Sequence, residues 1–280
     1  MWSPTTIARK ILPVFVKQKI KTYLFNRRRV RLFGDLAPLV STLNQMFDGP
    51  PSLEVFKANG DEFLRIYKDI CGLQRDERML DIGCGIGRKT LPLTQYFDNR
   101  AVYEGIDTTK KGIDWCRERI TTRFPNFRFQ CIDVYNKHYN PLGTVPPSAY
   151  RFPFAERSFS FVMLGSVFTH MLPADVTNYL SEVHRVLDHC GRCLISYFLL
   201  NEESLRLIDS GRSTLDFKDV HDKYRTISRD EPELAIAFDE SWITGLYREV
   251  GLKLVRLDYG SWCARDNHLS YQDLVLATKE

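Results

Sequence analysis

Leu80-Asp81-Ile82-Gly83-Cys84-Gly85-Ile86-Gly87 decides the fold. Arg78 to Ile82 is a short apolar run of strand length, the glycines follow it directly, and Arg88 to Phe97 reads as a helix. Glycine in such a turn adopts positive φ and lets a ligand lie against bare backbone. The spacing is G-x-G-x-G. The G-x-G-x-x-G of dinucleotide dehydrogenases is not met, because position 88 is Arg.

Outward from this loop, strand-like and helix-like segments alternate, which predicts a mostly parallel sheet. Ala101 to Ile106 reads as strand, Lys110 to Arg123 as helix, and Phe127 to Ile132 as strand. Phe159 to Leu164 reads as a buried strand, Ala174 to Leu187 as a helix entered through Pro173, and Cys193 to Leu199 as a fifth strand. A helix over Glu240 to Val250, capped by Gly251, leads into two closing strands, Leu252 to Leu257 and Tyr271 to Thr278. Asp107 ends the second strand, twenty residues after Gly87, where an acidic residue accepts hydrogen bonds from ribose hydroxyls. Asp133 ends the third. Three successive strand ends are therefore expected to line one crevice.

These segments together resemble the class I S-adenosylmethionine (SAM)-dependent methyltransferases. Leu80 to Gly87 looks like their first motif, Glu104-Gly105-Ile106-Asp107 like the second and Ile132-Asp133-Val134 like the third. Phe154 to Leu164 resembles the fourth, and the similarity continues through Leu180 to Leu187 and Gly191 to Ile195. The resemblance implies a seven-stranded Rossmann-like α/β sheet with helices on both faces and its last strand antiparallel. It also implies SAM as cofactor, released as S-adenosylhomocysteine. On it, the backbone of Gly83, Cys84, Gly85 and Gly87 holds the methionine portion, Asp81 orders the loop, Asp107 takes the ribose, Asp133 meets the adenine amino group and Val134 lies beside the ring.

The expected methyltransferase domain runs over residues 76–280, interrupted at 136–151, where Pro141, Pro146 and Pro147 forbid regular structure, and at 200–239, a lid-like insertion after the fifth strand. Residues 1–75 form a basic, mainly helical extension. His170 lies just beyond the fourth strand, where the methyl group should face. It is either a base for a hydroxyl acceptor or a packed histidine. Tyr135, Tyr139, Tyr150, Phe217, Tyr224, Trp242 and Trp262 are candidates for an acceptor pocket, though packing is the commoner role for such residues.

Three acceptor classes are argued down. Gly165-Ser166-Val167-Phe168 replaces the Asn/Asp-Pro-Pro-aromatic run of amino-methylating nucleic-acid enzymes, no Pro-Cys nucleophile occurs, and no extra acidic cluster suggests magnesium. A small-molecule, sugar or lipid-linked acceptor remains, with O-methylation favoured. The rivals are an RNA methyltransferase guided by the basic arm and a SAM-binding protein without catalysis.

Composition adds an asymmetry. Residues 1–34 hold nine basic residues and no acidic one, leaving 30 basic against 35 acidic in the rest. Ile7, Ile11, Leu12, Val14, Phe15, Val16, Ile20, Tyr23, Leu24 and Phe25 interleave with those cations. Three readings stay open: a helical cap on the domain, a helix on an anionic membrane, or a nucleic-acid contact. A cap that exposes its apolar face favours the membrane. No stretch reaches the roughly 18 apolar residues that span a bilayer, and no secretory signal is visible, so the expected location is cytoplasmic or membrane-peripheral. Cys190 and Cys193 form a C-x-x-C, but no second ligand pair stands at zinc spacing.

Overall fold

The computed structural model describes residues 13–41 and 52–280. Ile7, Ile11 and Leu12 of the basic arm lie outside the described residues. In chain order the elements begin with α1 (Val14–Phe33) and α2 (Leu53–Arg65), the latter running into a π-helical turn, Ile66–Ile70. Then come β1 (Arg78–Ile82), α3 (Thr90–Tyr96), β2 (Val102–Asp107), α4 (Lys110–Cys116), β3 (Phe127–Cys131) and β4 (Phe159–Leu164). They are followed by α5 (Pro173–Val186), β5 (Leu187–Tyr197), β6 (Leu199–Leu200), α6 (Glu202–Asp209), β7 (Asp219–Val220), β8 (Tyr224–Thr226) and β9 (Ile236–Asp239). The chain closes with α7 (Glu240–Glu249), β10 (Leu252–Asp258) and β11 (Asp273–Lys279).

Seven strands form one sheet in the order β3-β2-β1-β4-β5-β11-β10. The first five are parallel, and β11 runs antiparallel to both its neighbours. The strand order reverses between β1 and β4, and an open α/β sheet binds ligands at the carboxyl ends beside such a reversal. Alternate residues face opposite sides. Leu80, Ile82, Val162, Leu164 and Ile195 pack against Tyr179 and Val183 of α5 and Ile243 and Tyr247 of α7. Met79, Tyr103, Phe127, Phe161 and Met163 pack instead against Phe63 of α2, Leu93 of α3 and Ile113 of α4.

Helix α2, within the expected N-terminal extension, is thus one of the helices that cover the sheet. Tyr67, fully buried just beyond α2, meets the ring of Phe161 edge-on at 5.8 Å. The expected helix over 88–97 begins only at Thr90, because residues 83–89 remain in turns.

The fifth strand also differs from expectation. It starts at Leu187, and its pairing with β4 jumps from Phe159↔Leu187 to Phe161↔Arg192, so residues 188–191 bulge out. Cys190 is exposed on that bulge, whereas Cys193 is fully buried and its thiol is pushed up to about 12 by desolvation. A thiol so protonated is a packing group rather than half of a redox pair.

Phe198 follows β5, and the insertion after it folds as a second sheet, β6-β9-β8-β7, around its own core of Phe198, Leu200, Ile208, Phe217 and Trp262. Helix α6 starts in a reciprocal cap, in which Ser204 N donates to Asn201 Oδ1 and Asn201 N to Ser204 Oγ.

Candidate functional site

The glycine loop turns under the carboxyl end of β1. Gly83, Gly85 and Gly87 all have positive φ. At Gly83 a Cβ would also lie 2.5 Å from Val167 Cγ2, so two constraints demand glycine there. The loop is tied to the neighbouring strand: Gly83 N donates to Ile106 O at 2.8 Å, and Gly85 N donates to Asp107 Oδ2 at 2.8 Å. The other carboxylate oxygen of Asp107 accepts from Thr109 N at 2.7 Å. One side chain thereby fixes the loop after β1 and the turn after β2.

Asp81 is buried beside them. Tyr103 donates its phenol proton to Asp81 Oδ2 at 2.7 Å, and Thr90 Oγ1 lies 2.7 Å from that phenol oxygen. With the phenol proton committed to the carboxylate, Thr90 is the donor in the second bond. Burial lifts the Asp81 carboxyl to about 6, against the pull of the Tyr103 bond and the Lys89 charge. Cys84 is buried and its thiol is raised well above its ordinary value by desolvation, so it packs and does not react.

A cavity of about 490 Å³ opens over the loop. Asp81, Gly83, Cys84, Gly85, Asp107, Ile132 and Val134 line it on the sheet side. Asp133 does not. Its exposed carboxylate turns outward, accepting from Thr144 N at 3.2 Å and from the Thr144 hydroxyl. The three strand ends expected to share one crevice do line it, the third through Ile132 and Val134 rather than through the Asp133 carboxylate. Backbone alternation is the reason, since Ile132 and Val134 point inward.

The opposite wall comes from several segments. Val55, Asn59 and Phe63 arrive from α2, Asn136 and Tyr139 from the proline-rich insertion, and Tyr135 from just before it. Ser166, which follows β4, adopts φ 64°; its N donates to Ser196 Oγ at 2.7 Å, and both serine hydroxyls donate to Gln272 Oε1. Of the seven aromatic candidates, Tyr135 and Tyr139 line the cavity. Phe217 and Trp262 are fully buried in the core of the second sheet, and Tyr150, Tyr224 and Trp242 pack against the main core. The 200–239 insertion contributes no lining residue and touches the site from behind.

That contact is made to His170. This histidine sits in a short 3₁₀ turn, Phe168–His170, on the cavity wall, with Nδ1 2.8 Å from the Glu233 carbonyl oxygen and its ring edge-on to Tyr139 at 5.7 Å. A carbonyl only accepts, so Nδ1 carries the proton and Nε2 of the neutral ring is the acceptor. Desolvation holds its pKa below the ordinary value, and nearby His138 adds to that effect.

Sequence reasoning missed Tyr103, Thr90 and the Ser166–Ser196–Gln272 cluster. Tyr103 left a faint signal: β1–β2 pairing sets Asp81 opposite Gly105, two residues along the strand from a tyrosine on the buried face.

Residues 80–195 match a family model described as a methyltransferase domain. Among solved structures, the chain is similar to the 1,6-didemethyltoxoflavin-N1-methyltransferase of Burkholderia thailandensis with S-adenosylhomocysteine, at 18% identity over 81% of each chain, TM-score 0.53. It is similar to the magnesium protoporphyrin IX methyltransferase of Synechocystis PCC 6803, also with bound S-adenosylhomocysteine, at 14% identity over 94% of this chain and 100% of that one, TM-score 0.52. A SAM-dependent methyltransferase from Aquifex aeolicus matches at 15% identity over 85% and 97%, TM-score 0.51. These likenesses speak for the fold. Residues 80–195, which hold the glycine loop and both acidic strand ends on the cavity, form a methyltransferase domain of Rossmann-like fold whose methyl donor is SAM.

Proposed function

We propose that the chain methylates a hydroxyl of a small-molecule, sugar or lipid-linked acceptor, with His170 as the base. The observation that carries this reading is the Nδ1 bond to Glu233 O, which leaves a neutral Nε2 acceptor on the cavity wall. A hydroxyl holds its proton at neutral pH, so its methylation benefits from such a base.

The residues present fit SAM. A carboxylate accepts about four hydrogen bonds, so Asp107 can hold the loop and take a ribose diol together. Asp81 would face the ammonium, Ile132 and Val134 the adenine, and the bare backbone of Gly83 and Gly85 the methionine portion. When bound, SAM supplies an electrophilic methyl carbon on a sulfonium. His170 would take the acceptor proton at Nε2, while Tyr139, Met171 and Tyr179 keep water from the reacting atoms.

Two outcomes follow from these roles. His170→Ala lowers turnover by roughly 10²–10⁴-fold, the usual worth of a general base, while SAM affinity stays within about three-fold. Methyl-transfer assays over a panel of hydroxylated acceptors, paired with calorimetry, read both quantities. Near-normal turnover would remove His170 from the chemistry.

The second outcome concerns pH. Asp81 is ionised only above about 6, and an ammonium is held by the ionised form. SAM affinity is therefore steady near neutrality and falls about ten-fold per unit below pH 6. Asp81→Asn binds more weakly and flattens that fall. A wild-type profile unchanged between pH 7 and 5 would contradict the assignment of Asp81.

A further inference from the structure

We infer that α1 is a docking surface for an anionic lipid bilayer, on which it lies without crossing. Twenty residues of helix span about 30 Å, yet none is buried. Only the carboxyl-terminal half of α1 is anchored. Phe25, Leu32 and Phe33 pack against a small cluster around Phe56, with Phe33 edge-on to Phe56 at 5.9 Å. Arg28 pairs with Glu54, and Arg29 Nη1 donates to Val40 O at 3.0 Å.

The outward face is apolar. Ile20, Tyr23, Leu24, Arg27 and Val30 follow helical spacing on the side opposite Phe25 and Leu32. Ile20, Tyr23, Leu24 and Val30 are between 43% and 60% exposed, and off this stripe, in the unanchored first turn, Val14 and Phe15 are exposed at 83% and 64%. Singly exposed apolar residues need no explanation; six on one helix do.

The charges identify what covers this face. The helix carries seven Lys or Arg and no Asp or Glu. Among the described residues, Arg28 is the one cation of α1 with a carboxylate partner. Lys17 and Lys19 flank the apolar stripe, Arg31 lies within it, and Arg27 reaches across it with its guanidinium 5.9 Å from the ring of Tyr23. A nucleic-acid backbone would satisfy those cations but leave the apolar side chains in water. An anionic interface takes both, since the apolar stripe sinks to the acyl boundary while Lys and Arg reach back to the headgroups. Crossing is a different matter, because no helix among the described residues is long and apolar enough for it.

Vesicle flotation of the full chain tests this. The chain floats with vesicles of three parts phosphatidylcholine to one part phosphatidylglycerol at 0.1 M salt, and its affinity is at least ten-fold lower for phosphatidylcholine alone. Ile20→Ser with Leu24→Ser weakens binding at least ten-fold, because less apolar area is buried. Lys17→Glu, Lys21→Glu and Arg27→Glu together weaken it by about a hundred-fold, at roughly five-fold per cation. All these positions face solvent, so melting temperature and SAM binding stay unchanged and serve as controls for folding. Equal partition onto both vesicle types overturns the proposal, as does retention of binding by the serine variant. So does salt-sensitive capture of a 20-nucleotide RNA without flotation, or self-association through the stripe in its place.

Discussion

Asp273→Ala lowers the stability of the folded chain by about 3–5 kcal/mol, the usual consequence of removing one partner from a buried ion pair. Asp273 and Arg265 are 0% and 2% exposed at their side chains and meet at 2.9 Å. Asp273 Oδ1 also accepts from Gly260 N, and Oδ2 accepts from Leu199 N and from the Trp262 indole, all within 2.7 Å. Arg265 continues outward to Glu203 and Asn201 at the start of α6 and stacks 4.5 Å over Tyr259. This one pair ties β11 to β6 and to the start of α6.

Burial raises the Asp273 carboxyl to about 6, so even four donors do not fully offset its desolvation. The pair as a unit therefore contributes little net stability, but either half alone leaves a buried charge unpaired. Thermal melts should show Asp273→Ala lower by roughly 6–10 °C, at about 2 °C per kcal/mol for a chain of this size. The double replacement Asp273→Leu with Arg265→Met should cost clearly less than the two single changes added. A loss under about 1 kcal/mol for the single variant would mean that water replaces the carboxylate, and the pair would not be the clamp described.

This clamp was illegible in the sequence for the same reason as α2. Arg265 and Asp273 lie on a loop and a strand whose common neighbours, Leu199 and Glu203, are more than sixty residues away. Tyr67 likewise covers Phe161 from the far end of the chain. The glycine loop and the strand ends were legible because their signals are local. A short apolar run, glycines in the next turn and an acidic residue where the following strand stops are each read within a few positions. Asp133 shows the limit of that reasoning: one residue's difference in strand register sends a side chain to the other face. The strands of the second sheet, two to four residues long, are too short to show a period, so residues 200–239 read only as an insertion. At β5 the bulge at 188–191 concealed a strand that begins six residues earlier than its apolar run.

Asp107→Ala should cost the chain roughly a hundred-fold or more in affinity for both SAM and S-adenosylhomocysteine. Two losses combine. Each hydrogen bond from a ribose hydroxyl to an ionised carboxylate is worth about 1.5–3 kcal/mol, and two such bonds exceed a hundred-fold. In addition, Gly85 N and Thr109 N lose the acceptor that holds both loops in their bound form, so part of the binding energy must go to ordering them. Asp107→Asn separates the two effects, because its amide oxygen still accepts from Gly85 N while its amide nitrogen cannot accept from a hydroxyl. Calorimetric titration should place Asn between wild type and Ala. The half-buried position of Asp107 predicts a melting temperature close to wild type for both variants, which sets a binding defect apart from a folding defect. Alanine binding either ligand within three-fold of wild type would show that the cofactor is held elsewhere along the cavity. Asp81 and Lys89 would then be the next residues to replace.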